Sequence, residues 1–542
     1  MNNKRFNKTN FCSGCQCSKK LYIDINGPEE LQVPFEDTNL VEESRRTKAA
    51  AANYFGKKHA VVDEIKGVGI EKASIETGLF MLEKDVRIIT DACFEYDGCY
   101  AVCDIVKKFG RDMVNLYLVK ATTKVEERFI DELAFQWYVA EGAGCKINSA
   151  SVFIIDENYE RGARLSLKKL FVLTDFTNEV KERLKSVKDD LDRFRERIAN
   201  EDEPDVDLGL HCFKPFACPY FSYCKEQHGV PERSIFEIPL QRKTTSVKLY
   251  QDGITTLSQA LDLELAKPIE KQNVGKIVFL RQETGDKTKD YICRSDLSVF
   301  LSGLYYPLYF LDFETFTEAV PSFKGQKPYE QIPFQYSLHY IPKRGAPVHH
   351  KEFLAQEGTD PRELLAKQLC EDIPEEACVT AYNMSFEKNV IKRLSDQFPQ
   401  YSQKLDIIHA HIDDLMIPFQ KRWYYKYDMH GSYSIKKVLP SLFPGDPALD
   451  YHNLENVHRG DEAMLQYKLL PTYSQEQRLI MRNSLLRYCE LDTFAMVRIY
   501  FELVRVAEEE IQPSEEKKKK YENKNARKKK HKVITNADVI QD

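Results

Sequence analysis

Four acidic residues and one tyrosine in the second half of the chain have types and spacings that could bind divalent cations. Asp312 and Glu314 alternate with apolar residues in the stretch LYFLDFETFTEAV, residues 308 to 320. Alternate side chains of a β-strand share a face, so this stretch predicts two carboxylates side by side on a buried strand. Like charges in that position repel each other and lose hydration, and a cation between them would offset both costs.

Two later stretches supply the rest of this set. In YNMSFEKNVIKRL, Glu387 follows a predicted helix cap at Asn383 and Ser385, and a carboxylate in a first helical turn also suits the helix dipole without any metal. In LLRYCELDTFAMVRIYFEL, Tyr488 and Asp492 are four residues apart and therefore share one face of a helix. Each pattern alone would arise often in a chain with 84 acidic residues, so their order along the chain is the more informative feature.

The order of these three stretches resembles the DEDD exonucleases, in the tyrosine-bearing subclass of that DnaQ-like superfamily with a ribonuclease-H-like fold. The resemblance covers roughly residues 305 to 505. It implies a 3′–5′ exonuclease, a phosphodiester hydrolase with a two-metal mechanism, in which Tyr488 orients the attacking water. The implied ligands of two Mg²⁺ or Mn²⁺ ions are Asp312, Glu314, Glu387 and Asp492. Glu387 is a departure, because the second motif of the family usually ends in Asp.

Three neighbouring stretches contain polar side chains that could support such a site. Gln331 and Gln335 share one face of a predicted strand, and Asp413 and Asp414 could cap a helix or stand behind the metal ligands. The stretch HGSYSIKKVLP could present hydroxyl and ammonium groups to phosphates, or simply begin a surface helix. Its candidate substrate-binding residues are Ser432, Ser434, Lys436 and Lys437.

Four cysteines in the first half have a spacing that favours metal ligation. HCFKPFACPYFSYC repeats a cysteine every six residues, and FCSGCQCSKKLYI near the N-terminus offers a fourth thiol at Cys17, with Cys12 and Cys15 as competing candidates. The predicted ligands are Cys17, Cys212, Cys218 and Cys224. Thiolates bind both iron–sulfur clusters and zinc. Buried thiols without any metal are the remaining alternative.

One early cysteine, a nuclease-like centre and three late cysteines together resemble the RecB-type exonucleases, including the CRISPR-associated exonuclease branch. The resemblance implies a PD-(D/E)XK nuclease fold, a [4Fe–4S] cluster on the four cysteines, with zinc as the alternative, and a weaker second site. The candidates for that site are Asp91, Asp104, Lys120 and Gln136, with Tyr138 beside the last. Leu118 stands where the family has a metal-binding glutamate, and Asp91 or Glu132 could substitute for it. We therefore expect this domain mainly to bind DNA, with cleavage lost or weakened.

Composition and charge limit the class of protein. With 42% hydrophobic and 30% charged residues, no apolar run long enough to span a membrane and no signal-peptide pattern, the chain is expected to be cytoplasmic and not membrane-bound. Most of the 14 cysteines should then be free thiols. A net charge of −6 disfavours indiscriminate nucleic-acid binding, although residues 517–532 form a basic block that could attract phosphates or be a solvated tail.

A length of 542 residues predicts two or three domains. We expect a RecB-like domain over residues 1–230, a connector with small helices over 231–304, a DEDD exonuclease-like domain over 305–508 and a basic tail over 509–542. Alternating strands and helices predict the α/β class. This pairing resembles an uncharacterised bacterial two-domain family.

The leading hypothesis from the sequence is a metal-dependent 3′–5′ exonuclease that acts on DNA with a single-stranded end. The alternatives are a nucleic-acid-binding scaffold with two degenerate nuclease folds, and an RNA exonuclease, since a four-acid site does not by itself distinguish the sugars. The sequence does not identify a helicase or a repair partner.

Overall fold

The computed structural model describes residues 5–31, 38–62, 69–110, 113–200 and 202–508. The basic block 517–532 and the predicted tail lie outside the described residues. Two large mixed sheets, each covered by helices, make up most of the described chain, so the predicted α/β class is confirmed. None of the helices within the described ranges is long and apolar enough to cross a membrane.

The first sheet contains six strands that pair in chain order. They are β1 (Ala60–Val61), β2 (Ile88–Tyr96), β3 (Cys99–Phe109), β4 (Met113–Val119), β5 (Lys146–Ile155) and β6 (Phe171–Asp175). The pairs β1–β2 and β4–β5 are parallel, and the other neighbours are antiparallel. The helices of this half are α1 (Lys8–Gln16), α2 (Ser18–Asn26), α3 (Thr38–Asn53), α4 (Ile70–Leu82), α5 (Arg128–Gly142), α6 (Leu167–Leu170) and α7 (Thr177–Ala199).

Helix α5 is the crossover that the parallel pair β4–β5 requires. Phe129, Leu133 and Trp137 recur every four residues along one of its faces and are buried in the core of this half. Helix α7 also packs against α5, which contacts the strands β2, β3, β4 and β5.

The connector consists of short helices, α8 (Phe221–Gln227), α9 (Lys243–Gln251), α10 (Leu257–Leu265), α11 (Val274–Thr284) and α12 (Arg294–Ser302), and of β7 (Tyr291–Ile292). Helices α9 and α10 are joined by a turn in which Gly253 is in the left-handed region at φ 78°. Ile235, Phe279 and Leu297 of this part share one hydrophobic core with Phe310 of the second sheet.

The second sheet has five strands in the order β10-β9-β8-β11-β12. They are β8 (Leu308–Phe316), β9 (Ile332–Ile341), β10 (His349–Leu354), β11 (Cys378–Ala381) and β12 (Ile412–Asp414), and a separate β13 (Tyr424–Tyr425) pairs with β7. β9 is antiparallel to β8 and β10, whereas β11 and β12 run parallel to β8. The helices are α13 (Arg362–Asp372), α14 (Ser385–Gln397), α15 (Pro399–Ala410), α16 (Ile417–Gln420), α17 (Ile435–Leu442), α18 (Gly460–Leu469) and α19 (Gln475–Glu508).

Helix α3 joins the two halves through partly buried ion pairs. Arg46 Nη1 lies 2.8 Å from Glu318 Oε1, and Lys468 Nζ lies 2.7 Å from Glu43 Oε1. Glu43 also accepts a hydrogen bond of 2.9 Å from the backbone N–H of Ala319. Because Glu43 and Glu318 are largely shielded from water, these contacts hold the first half against the loop that follows β8.

Candidate functional site

The central strand β8 carries Asp312 and Glu314 on one face, as the alternating pattern predicts. Leu311 and Phe313 point to the other side, into the core under α14 and α15. Gln335 lies opposite Glu314 in the sheet, and its Nε2 donates a hydrogen bond of 2.8 Å to the carbonyl of Leu485 in α19. The pairing register shifts directly after Glu314, and such an irregularity bends a strand and re-aims the adjacent side chains.

Helix α14 presents Glu387 from its first turn, but the predicted cap is wrong. The residue at the cap position is Met384, and neither Asn383 nor Ser385 provides a side-chain cap. Instead Asp414, at the end of β12, accepts backbone hydrogen bonds from Asn383 at 2.9 Å and Met384 at 3.2 Å. Asn383 is in the left-handed region at φ 76°, so Asp414 fixes the turn that places Glu387.

Helix α19 presents Tyr488, Cys489 and Asp492 toward β8. The sulfur of Cys489 lies 3.7 Å from Oδ2 of Asp312. Asp492 accepts a hydrogen bond of 2.5 Å from the hydroxyl of Tyr451 and another from Tyr488. Tyr451 was not found from the sequence, because it lies in a short turn 41 residues before Asp492 and belongs to no periodic pattern.

The four predicted carboxylates converge in one buried cluster. Burial raises the pKa of Asp312, Glu314 and Glu387 well above the ordinary range, and it raises the pKa of Asp492 to about 6. Repulsion from neighbouring carboxylates adds to burial: Asp492 acts on Asp312, and Asp312 acts on both Glu314 and Glu387. These side chains, which come from three separate elements, therefore lie close enough to interact electrostatically.

Part of the cluster is close enough to share a divalent cation: among the described residues the set within 4.8 Å of one another is Asp312, Glu314 and Cys489, and it includes neither Glu387 nor Asp492. Oε2 of Glu387 is buried without a hydrogen-bond partner. Gly460 lies next to the cluster, since a Cβ there would be in van der Waals contact with Glu314 Oε2 at 3.7 Å and with the Tyr488 hydroxyl at 4.0 Å. Carboxylate oxygens are the ligands that Mg²⁺ and Mn²⁺ prefer.

Among the predicted phosphate contacts, Lys436 is close enough to affect the carboxylates. Its positive charge opposes the effect of burial and lowers the pKa of both Glu314 and Asp492. Ser434 occupies the cap position of α17 without a side-chain cap, and its N–H donates to Ser432 Oγ at 3.1 Å. Lys436 and Lys437 in the first turn of α17 are exposed, so this helix end is accessible to a substrate.

In the first half, a lysine lies where the predicted second site would hold a cation. Lys48 Nζ lies 2.6 Å from Oδ1 of Asp104 and 3.6 Å from Oδ1 of Asp91. Burial alone would raise the pKa of Asp104, but the ammonium groups of Lys48 and Lys8 outweigh it and lower that pKa. Lys48 was not predicted for this site, because it comes from α3, far from β2 and β3 along the chain.

The other candidate residues of this second site also form ion pairs or hydrogen bonds within the protein. Lys120 Nζ lies 2.6 Å from Oε2 of Glu132, and Lys8 Nζ lies 2.9 Å from the same oxygen. Gln136 is buried and donates a hydrogen bond of 2.8 Å to the carbonyl of Val102, which links α5 to β3. Leu118 is fully buried in the core, where it binds no cation.

The four predicted cysteine ligands line one cavity together with His211. Gln16 Nε2 donates hydrogen bonds of 2.9 Å to the carbonyls of His211 and Phe216, which holds Cys17 against the later segment. Across the described residues, no three of the four sulfurs lie within 4.8 Å of one another. The competing candidates Cys12 and Cys15 are in α1 and do not line the cavity.

Comparison with protein families gives one match. Residues 309–434 are similar to a family described as a Domain of unknown function (DUF2779). The matched segment contains Asp312, Glu314 and Glu387, whereas Tyr488 and Asp492 lie beyond its end. None of the curated proteins matches the chain.

Proposed function

We propose that this protein is a metal-dependent exonuclease of the DEDD type that hydrolyses phosphodiester bonds of DNA in the 3′–5′ direction. The convergence of the four buried carboxylates of β8, α14 and α19 carries this proposal. Two Mg²⁺ or Mn²⁺ ions bound there would supply positive charge to the attacking and leaving oxygens. A five-stranded mixed sheet with the first acidic pair on its central strand supports the ribonuclease-H-like expectation.

Each side chain of the cluster has a distinct part in this proposal. Asp312, Glu314, Glu387 and Asp492 hold the cations. Burial raises the pKa of Tyr488, so its hydroxyl stays protonated at neutral pH and orients a water instead of deprotonating it. Lys436, at the accessible end of α17, contacts a phosphate next to the scissile one.

In this proposal the first half binds DNA and does not cleave it. Its element order, with Asp104 on β3, Lys120 after β4 and Gln136 on the following helix, supports the RecB-like expectation. Lys48, Lys8 and Lys120 together balance the charges of Asp104, Asp91 and Glu132, so these carboxylates have little net charge left to attract a cation. This pairing supports a domain in which cleavage is lost and binding is the remaining role.

We extend the proposal to a [4Fe–4S] cluster in the cysteine cavity. A single tetrahedral zinc ion would place its four sulfurs about 3.8 Å apart, since each Zn–S bond is about 2.3 Å. Among the described residues no three of the four sulfurs lie within 4.8 Å of one another, so the preference for a cluster over zinc rests on the resemblance to the RecB-type exonucleases. A cluster there would connect the start of α2 to the segment around α8.

Degradation of a labelled single-stranded DNA by the full chain tests the activity. We expect Mg²⁺-dependent shortening from the 3′ end, with a loss of at least about 100-fold for Asp312→Asn and for Asp492→Asn. Asp396→Asn is the matched control, because Asp396 is exposed on α14, outside the cluster. Absence of cleavage with DNA binding intact would overturn the nuclease proposal in favour of a scaffold, and faster degradation of RNA than of DNA would reassign the substrate.

A further inference from the structure

A second polar cluster lies where the edge of the second sheet meets α19. It consists of His339 on β9, His350 on β10 and Glu490 on α19, and one ligand atom from each lies within 4.8 Å of the others. Nδ1 of His350 is 4.0 Å from Oε1 of Glu490, and the two imidazole rings are 4.5 Å apart at their centroids. Glu490 is two residues from both Tyr488 and Asp492, hence about 160° around the helix from the carboxylate cluster.

Hydroxyl groups next to the two histidines fix the orientation of both imidazole rings and determine which ring nitrogen carries the proton. Thr493 Oγ1 donates to the carbonyl of Glu490 at 3.1 Å, and is 2.8 Å from Nδ1 of His339 and 2.7 Å from Ser337 Oγ. Ser337 Oγ is in turn 2.9 Å from Nε2 of His350. All four contacts are satisfied together when Thr493 accepts from His339 and Ser337, and Ser337 accepts from His350. Nε2 of His339 and Nδ1 of His350 then carry lone pairs.

Hydrogen bonds of this kind, from the ring nitrogen that does not bind the ion, are what metal-ligating histidines require. Glu490 is oriented as well, because its Oε2 accepts a hydrogen bond of 2.8 Å from Arg487 while Oε1 faces His350. Burial and the neighbouring His350 lower the pKa of His339 to about 4, so this imidazole is neutral at physiological pH.

We propose that His339, His350 and Glu490 bind a divalent transition-metal ion; two imidazoles and one carboxylate suit Zn²⁺, and the same ligand set also binds Fe²⁺. Ligands on tetrahedral zinc lie about 3.4 Å apart, so closing the 4.0 Å gap between His350 and Glu490 takes a small side-chain movement. The fourth position is left to water. This site is separate from the carboxylate cluster and does not depend on the nuclease proposal.

The site links β9, β10 and α19, so a bound ion would stabilise the packing of these three elements. Its carboxylate comes from the helix turn that also carries Tyr488 and Asp492. An ion bound there fixes the position of α19 along the sheet edge. Zinc therefore raises the thermal stability of the protein without entering the carboxylate cluster.

Zinc titration of the full-length protein by calorimetry, after EDTA treatment and in excess Mg²⁺ without DNA, tests the site. We expect the wild type to bind one more equivalent of Zn²⁺ than His350→Ala or Glu490→Gln. The additional ion should raise the unfolding temperature of the wild type and not that of these two variants. His349→Ala, at the neighbouring exposed position of β10, is the matched control and should behave as wild type. Thr493→Val, which removes the hydroxyl behind His339, should weaken zinc binding by about 10-fold or more.

Equal zinc stoichiometry and equal thermal shift in the wild type and His350→Ala would overturn the proposal. The proposal would also be overturned if the wild type bound zinc and Cys218→Ser bound none, since all the zinc would then belong to the cysteine cavity. Failure of the DNA-degradation assay leaves both zinc readouts unaffected, so the two proposals can fail separately.

Discussion

The hydroxyl of Tyr451 donates a 2.5 Å hydrogen bond to Oδ1 of Asp492 and so connects a short turn to the long helix α19 at the carboxylate cluster. Asp492 is buried, and Tyr451 is partly buried. A charged acceptor held by a hydrogen-bond donor keeps one orientation, which fixes the position of both of its oxygens relative to the other carboxylates. Tyr451 is therefore a positioning residue for the proposed metal site.

Tyr451→Phe should lower the rate of strand degradation at saturating Mg²⁺ by about 10-fold to 100-fold, because a hydrogen bond to a charged group contributes about 1.5–3 kcal/mol. Single-turnover kinetics measure the change. Tyr473→Phe is the control, since its hydroxyl bonds Gln466 and lies outside the cluster. Equal rates for the two variants would contradict the positioning role of Tyr451.

Stability of the metal-free protein should fall as pH rises through the pKa of Asp492. Burial raises that pKa from 3.8 to about 6, so the folded state keeps a proton that the unfolded chain releases near pH 4. The stabilisation is complete below about pH 4 and lost above about pH 6, and two pKa units correspond to on the order of 3 kcal/mol. Urea unfolding in EDTA should show a smaller loss over this range in Asp492→Asn than in the wild type, because Asp312, Glu314 and Glu387, whose pKa values burial also raises, still contribute to it. Saturating Mg²⁺ should reverse the trend, because it binds the ionised carboxylates.

Lys48→Met should destabilise the first half, because it leaves the buried carboxylate of Asp104 without its closest cation. Removing one partner of a buried ion pair costs about 3 kcal/mol in free energy of unfolding. Adding Asp104→Asn should recover most of that loss, which a double-mutant cycle in urea measures. Lys72→Met, on the exposed face of α4, is the control. A Lys48 variant as stable as the Lys72 variant would show that the pair contributes nothing.

Cys218→Ser should abolish iron incorporation, whereas Cys15→Ser should retain it. Cys218 lines the cavity shared by the four cysteines, and Cys15 is exposed on α1. Iron and acid-labile sulfide content, with visible absorbance, measure the result in anaerobically purified protein. Zinc without iron in the wild type would favour the zinc alternative.

Lys436→Gln should raise KM for DNA by about 10-fold with little change in kcat, since a phosphate contact is made in both ground and transition states. Loss of one phosphate contact should also reduce the salt dependence of binding by about one unit of log–log slope. Lys367→Gln, exposed on α13, is the control. A drop in kcat at unchanged KM would instead place Lys436 at the reacting phosphate.

Local patterns were sufficient to place several parts of the candidate site. Alternation along β8 put Asp312 and Glu314 on one face, and four-residue spacing put Tyr488 and Asp492 on one side of α19, because these periods follow from backbone geometry alone. The cap at the start of α14 was predicted wrongly. Asp414, which the sequence offered as a helix cap or as a residue behind the metal ligands, supplies the acceptor there from β12, and no local pattern reveals which distant segment it contacts.

The sequence by itself determined the α/β class, the residue types able to bind cations, and which of them share a strand face or a helix face. Only the tertiary structure decided that Tyr451 holds Asp492, that Lys48 fills the second site, and that His339, His350 and Glu490 meet. Strand register and the way α19 lies across the sheet bring these groups together. Such long-range packing depends on the whole core, whereas a face pattern depends only on the repeat of the local backbone.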